Sequence, residues 1–134
     1  MSGEESSAIE FHDSNVSDLW SEGENVLIRF APAYVHRSKG TPCVDPGTGW
    51  TQDAMMVLSG AQLAGVCPPF PCMLSDGLVS LGNQVYNNCL PAPFVGVGDV
   101  KLSFVFTDGS TIHIIARELR LDLVGDPVFV EMVP

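Results

Sequence analysis

Three histidines and a few neighbouring carboxylates are the residues of this 134-residue chain whose types could do chemistry. His12 and Asp13 are adjacent, and His36 follows Tyr34 and Val35, with Arg37 after it. If the strands that carry them pair, two imidazoles and a carboxylate meet, a set suited to a transition metal or to acid-base work. Neighbours on a regular strand point to opposite faces, so His12 and Asp13 serve one site only at a bulge or a strand end. A metal-assisted enzyme using His12, Asp13 and His36 is therefore the catalytic reading. His113 stands alone in an alternating stretch and reads as incidental. The serines lack a G-x-S-x-G context, and Gly96-Val97-Gly98 has no helix after it to complete a dinucleotide fingerprint. No cofactor is expected.

The second chemical candidate is a surface. From Arg37 to Asp53 the sequence RSKGTPCVDPGTGWTQD is dense in Gly, Pro, Thr and Asp and has no period of either kind. It reads as a long irregular loop, and loops of that length inside compact domains are often functional. The candidate binding residues are Tyr34, His36, Arg37, Lys39, Asp45, Trp50 and Asp53. Trp50 is expected to pack inward as the anchor of the loop. Arg29, Arg37 and Lys39 put half of the six bases within one short stretch, where they are expected to neutralise Asp45 and Asp53.

Cys43, Cys67, Cys72 and Cys89 form an even set that permits three disulfide connectivities. Cys67 and Cys72 have a ligand-like gap, but no second short pair accompanies them. Disulfide, metal site and reduced structural cysteine all stay open, and the reduced form is the expectation for a cytoplasmic chain.

Sixteen acids against six bases give a net charge of -10, which opposes binding to nucleic acid or an anionic membrane and favours encounter with a basic protein. No apolar run reaches the length of a membrane span, and the N-terminus lacks a basic segment followed by a hydrophobic one. A cytoplasmic location is expected. Hydrophobic residues make up 46% and charged residues 16%, a globular composition in which only MSGEESS reads as a flexible tail.

The elements that must position these residues are strands. VKLSFVFTDGSTIHIIARELRLDLV, from Val100 to Val124, alternates Val100, Leu102, Phe104 and Phe106 against Lys101, Ser103 and Thr107. A three-residue loop over Asp108, Gly109 and Ser110 is expected, pairing Phe106 with Ile112 and Phe104 with Ile114. A two-residue loop would oppose Phe104 to His113 and mix apolar with polar partners. Leu119, Leu121 and Leu123 then form a third strand after a bend near Arg117. Val26 to Phe30 reads as a strand that Pro32 kinks or confines to an edge. Turns are expected at Ser75-Asp76-Gly77 and Gly82-Asn83, and Val128 to Val133 is a last, separate strand. Short strands between frequent turn signals indicate one all-β domain over residues 1–134, an antiparallel β-sandwich or flattened barrel with long irregular loops. The Val128 to Val133 strand offers an edge through which copies of the chain could assemble into a homo-oligomer.

FHDS, followed after a turn by the alternating strand VLIRF, resembles small uncharacterised bacterial all-β proteins and some immunity proteins that neutralise toxins. The likeness covers the first thirty residues or so. It implies a non-catalytic protein-binding module whose acidic surface covers a basic toxin, and it assigns no individual residue a role.

Overall fold

The structure, a computed structural model, describes residues 4–134. Ten strands follow in order: β1 (Ser6–Glu10), β2 (Asn15–Glu22), β3 (Asn25–Ser38), β4 (Gly47–Ser59), β5 (Gln62–Gly65), β6 (Cys72–Leu81), β7 (Gln84–Asn87), β8 (Cys89–Pro91), β9 (Phe94–Phe106) and β10 (Thr111–Val133). No helix of the described residues is long and apolar enough to cross a membrane. Of the expected tail, Met1 to Gly3 lie outside the described residues, whereas Ser6 and Ser7 open β1 opposite Ser38 and Arg37.

The sheet is antiparallel throughout and runs β2-β6-β9-β10-β4-β3, and β3 returns to pair with β2. Six strands thus close a flattened barrel, past which β3 and β10 extend. The barrel is filled from the alternating faces: Ile28, Met56, Leu58, Leu102, Ile112, Leu119 and Leu121 are fully buried. Phe11, Phe30 and Phe104 form its aromatic centre, with centroid separations of 5.0 Å for Phe11 to Phe104 and 6.2 Å for Phe30 to Phe104. Beyond one end the sheet continues as a flat extension in which β8, β1 and the later halves of β3 and β10 flank the start of β4.

Several local expectations change for identifiable reasons. The β9–β10 hairpin has a three-residue loop, but over Thr107, Asp108 and Gly109, so Phe104 faces Ile112 and Leu102 faces Ile114. Ser110 is drawn into the ladder because its carbonyl accepts the Phe106 N–H at 2.9 Å while Asp108 Oδ1 caps its own N–H at 2.8 Å. The displacement is two residues, so every apolar side chain keeps its face. Leu119 to Leu123 and Val128 to Val133 are not new strands. They continue β10, which absorbs the irregularities as register shifts at Ala116/Glu118 against β9, and at Val124/Val128 and Phe129/Glu131 against β4.

Pro32 marks a shift between Phe30 and Ala33, yet β3 is flanked on both sides and is no edge. Asn15 Nδ2 donates to the Ala31 carbonyl there at 2.9 Å. Ser75-Asp76-Gly77 is a bulge within β6, not a turn. Gly77 is required because a Cβ there would sit 2.6 Å from the ring of buried Phe11. Most consequentially, Arg37 to Asp53 is not one long loop: β3 runs to Ser38 and β4 begins at Gly47. The strand hydrogen bonds of the extension override a Gly- and Thr-rich composition that predicts coil, as tertiary context does for β propensity generally.

Candidate functional site

The extension brings polar residues together that the sequence keeps far apart. Directly opposed residues in an antiparallel ladder share a face. Glu10 of β1 faces Tyr34 of β3, while His36 faces Gly49 of β4, which in turn faces Glu131 of β10. Asp13, from the turn after β1, and Cys43, Val44 and Asp45, from the β3–β4 loop, close over this face. Together they line a recess of about 300 Å³.

Each wall is held by identifiable contacts. Ser14 is fully buried; its Oγ donates to the Glu10 carbonyl at 2.5 Å and accepts the Tyr34 N–H at 3.0 Å, fastening β1 to β3. Ser38, also fully buried, donates to the Pro46 carbonyl and accepts the Gly40 N–H, which closes the base of the loop. Within the loop Thr41 N–H donates to Asp45 Oδ2 at 2.6 Å, and Cys43 is joined to Cys89 of β8 by a disulfide. Asp13 and Cys43 adopt the left-handed region at φ 78° and 71°. Such backbone costs about 1–3 kcal/mol per non-glycine residue and gathers at sites whose surroundings over-determine it.

The electrostatics are one-sided. Glu10, Asp13, Asp45 and Glu131 line the recess and no Lys or Arg does. Burial raises the Glu10 carboxyl above its ordinary pKa, and the Asp13 charge adds to the shift. Tyr34 Oη donates to Glu131 Oε2 at 2.7 Å. Burial, then that hydrogen bond, hold the phenol protonated well above its ordinary range. Gly49 makes the arrangement possible: the Tyr34 ring crosses it, and a Cβ there would lie 2.7 Å from Cζ and closer still to Oη.

His36 is 3% exposed, and Cys43 N–H donates to its Nδ1. An Nδ1 that accepts a hydrogen bond carries no proton, so the neutral ring bears its hydrogen on Nε2. That Nε2–H has no partner among the described residues. A metal on Nε2 would require an imidazolate, the reverse of the usual arrangement in which Nδ1 donates to an oxygen while Nε2 binds the ion.

Of the residues singled out in the sequence, Asp13, Tyr34, His36 and Asp45 meet at this recess. His12 is not among its lining residues; its ring is 60% exposed with Nδ1 3.3 Å from Asp13 Oδ2, and its N–H donates to Asn88 Oδ1. Arg37 and Trp50 alternate onto the opposite face, where the guanidinium lies 4.4 Å from the Trp50 ring and Phe129 meets that ring edge-on at 5.3 Å. Trp50 does pack against the core, from a strand instead of a loop. Lys39 lines a separate apolar recess with Pro46, Thr48 and Met132, and Asp53 lines shallow ones near Val124. Among the described residues the ion pairs are His12–Asp13 and Arg120–Asp122, so Arg29, Arg37 and Lys39 do not neutralise Asp45 and Asp53 as expected. The two arginines instead lie over Trp20 and Trp50.

Glu10, Glu131 and the role of Ser14 escaped the sequence reading, and the Cys43–Cys89 pairing was among the alternatives it left open. Glu131 had a signal, being the one charged residue in the apolar run VFVEMV. The disulfide replaces the expected reduced cysteines at positions 43 and 89, and Cys67 and Cys72 stay free. Glu10, Cys43 and Cys89 approach closely enough to suggest a metal site, but disulfide sulfurs offer no thiolate. Comparison with known proteins finds no family model, no curated protein and no solved structure that matches this chain.

Proposed function

We propose that the chain is a non-catalytic protein-binding module that holds a basic partner through the recess between the β3–β4 loop and the sheet extension. The observation that carries the proposal is four carboxylates around one cavity with no Lys or Arg lining it, in a chain of net charge -10. A carboxylate cluster without counter-charge is costly to hold, and an entering ammonium or guanidinium relieves the repulsion while making charge-assisted hydrogen bonds. Neutralisation of a basic toxin, an immunity-type role, is the sharpest form of this reading. The Cys43–Cys89 disulfide favours an oxidising setting over the cytoplasmic one expected from the sequence.

A metal-assisted reaction at His12, Asp13 and His36 is the weaker reading, because His36 has the wrong tautomer for a ligand and His12 stands outside the recess. The test is affinity capture with the wild-type protein and with a Glu10→Gln/Glu131→Gln variant. A basic protein captured by the first and lost with the second, with affinity falling as salt rises, supports the proposal. Capture of the same partners by both proteins refutes it.

A further inference from the structure

β10 has two neighbours only as far as Leu121. On one side β4 accompanies it from Glu118 to Val133, and on the other β9 ends at the pair Leu121 and Phe94. From Asp122 to Val133 the second edge has no strand beside it among the described residues. Edge strands present a row of unpaired N–H and C=O groups, which proteins ordinarily blunt with bulges, proline or lysine. Gly125 to Pro127 blunts the first part of this edge. From Val128 to Val133 there is no proline and no lysine, and the register shift between Phe129 and Glu131 is the one irregularity; Val128, Phe129, Val130 and Met132 are 63%, 49%, 47% and 71% exposed, and Glu131 is the sole charge.

We infer that this edge takes an extended segment of a basic partner as an added strand, with one Lys or Arg of that segment opposite Glu131 and reaching into the acid-walled recess. The inference rests on the protein-binding reading above and names how the partner is held. A strand added at an edge lies about 4.8 Å away, with opposed side chains about 5 Å apart on a common face. The residue opposite Glu131 therefore falls on the face of Tyr34 and His36, and Glu131, Met132 and Val133 belong both to the edge and to the wall of the recess. Its neighbours along the segment fall on the other face, beside Phe129 and Trp50, and are apolar. The His36 Nε2–H provides a donor within the recess for an acceptor of the same segment. A second copy of this edge does not fit the description. Residues 122–133 contain Asp122, Asp126 and Glu131 and no base, so a copy would bring Glu131 no cation and would add another ten negative charges.

The probe is a capped peptide of alternating threonine and valine with a central arginine. Two relatives of it replace the arginine by citrulline or N-methylate alternate residues. Dissociation constants and amide hydrogen exchange of the full chain are measured with each. The parent peptide is expected to bind and to protect the amides of Val128 to Val133. Citrulline is expected to weaken binding about tenfold or more, and N-methylation on the edge-facing set to abolish it. Glu131→Gln is expected to lower affinity for the parent and leave the citrulline peptide unaffected. If arginine is required but N-methylation has no effect and β10 gains no protection, strand addition is wrong while the acidic recess stands as a cation site. If citrulline binds as well as arginine, the charge argument fails, and with it the basic-partner reading. Absence of binding by every peptide, or a concentration-dependent dimer that protects the same amides without peptide, overturns the inference.

Discussion

Gly49→Ala is the substitution that interrogates the site most directly. In an ordinary strand the change stabilises by about 0.5–1 kcal/mol, because glycine forfeits more chain entropy on folding. Here the new methyl would occupy the space that the Tyr34 ring crosses, 2.7 Å from Cζ and 3.2 Å from Glu131 Cγ. The ring can swing away, but only by releasing Glu131. A hydrogen bond to a charged group contributes about 1.5–3 kcal/mol, and the exposure of this pair puts it at the low end. Overpacking adds about 1–3 kcal/mol. The losses outweigh the strand gain, so Gly49→Ala is expected to destabilise by about 1.5–4 kcal/mol in urea denaturation with an unchanged m-value. A second readout separates this from general damage. The Tyr34 phenol resists ionisation because it is partly buried and donates to Glu131, so in the variant it should ionise at lower pH in an alkaline absorbance titration. Tyr34→Phe should cost about 1.5 kcal/mol in the wild type and almost nothing in the Gly49→Ala background. Stability within about 0.5 kcal/mol of wild type, together with an unmoved phenol titration, would refute the proposed geometry.

Burial holds the Glu10 proton in the folded chain at pH values where the unfolded chain has lost it. Stability should therefore fall as pH rises from the ordinary carboxylate value near 4.3 through the raised one, and Glu10→Gln should remove that slope and be at least as stable as wild type at neutral pH. A parallel slope in the variant would show that Glu10 is not the source. A cation in the recess favours the ionised carboxylate, so binding of the arginine peptide should strengthen over the same pH window. The Cys43–Cys89 disulfide spans 46 residues, and opening it by reduction or a double alanine substitution should cost up to about 4 kcal/mol by the loop-entropy argument. Thiol counting in denaturant without reductant should find only Cys67 and Cys72, and four reactive thiols would contradict the pairing. Zinc or a chelator should leave the melting temperature unchanged, since His36 Nδ1 is already an acceptor; a zinc-dependent rise that His36→Ala abolishes would restore the metal reading.

The architecture was legible because it rests on period and turn chemistry. Val100 to Phe106 and Ile112 to Ala116 alternate apart from the outward Val105 and Ile115, a one-residue slip would turn the apolar set to water, and even a misplaced loop preserved its face. The mid-chain stretch was not legible. Gly47, Thr48 and Gly49 look like coil, and they are strand only because β3 and β10 hydrogen-bond them from both sides and Tyr34 needs a bare backbone to cross. Likewise Ser75 to Gly77 reads as a turn until Phe11 is seen resting on it.

By itself, then, the amino-acid sequence determined an all-β chain, its alternating core and its acidity, because side-chain period and net charge are local or additive properties. It also placed Asp13, Tyr34, His36 and Asp45 among the residues to watch. Only the tertiary structure decided that Glu10 and Glu131 join them, that Cys43 pairs with Cys89, and that His12 and Trp50 stand elsewhere. Those outcomes depend on which strands lie side by side and on which face each residue emerges. Strand order and register are set by the packing of the whole barrel, and no window of the chain contains them.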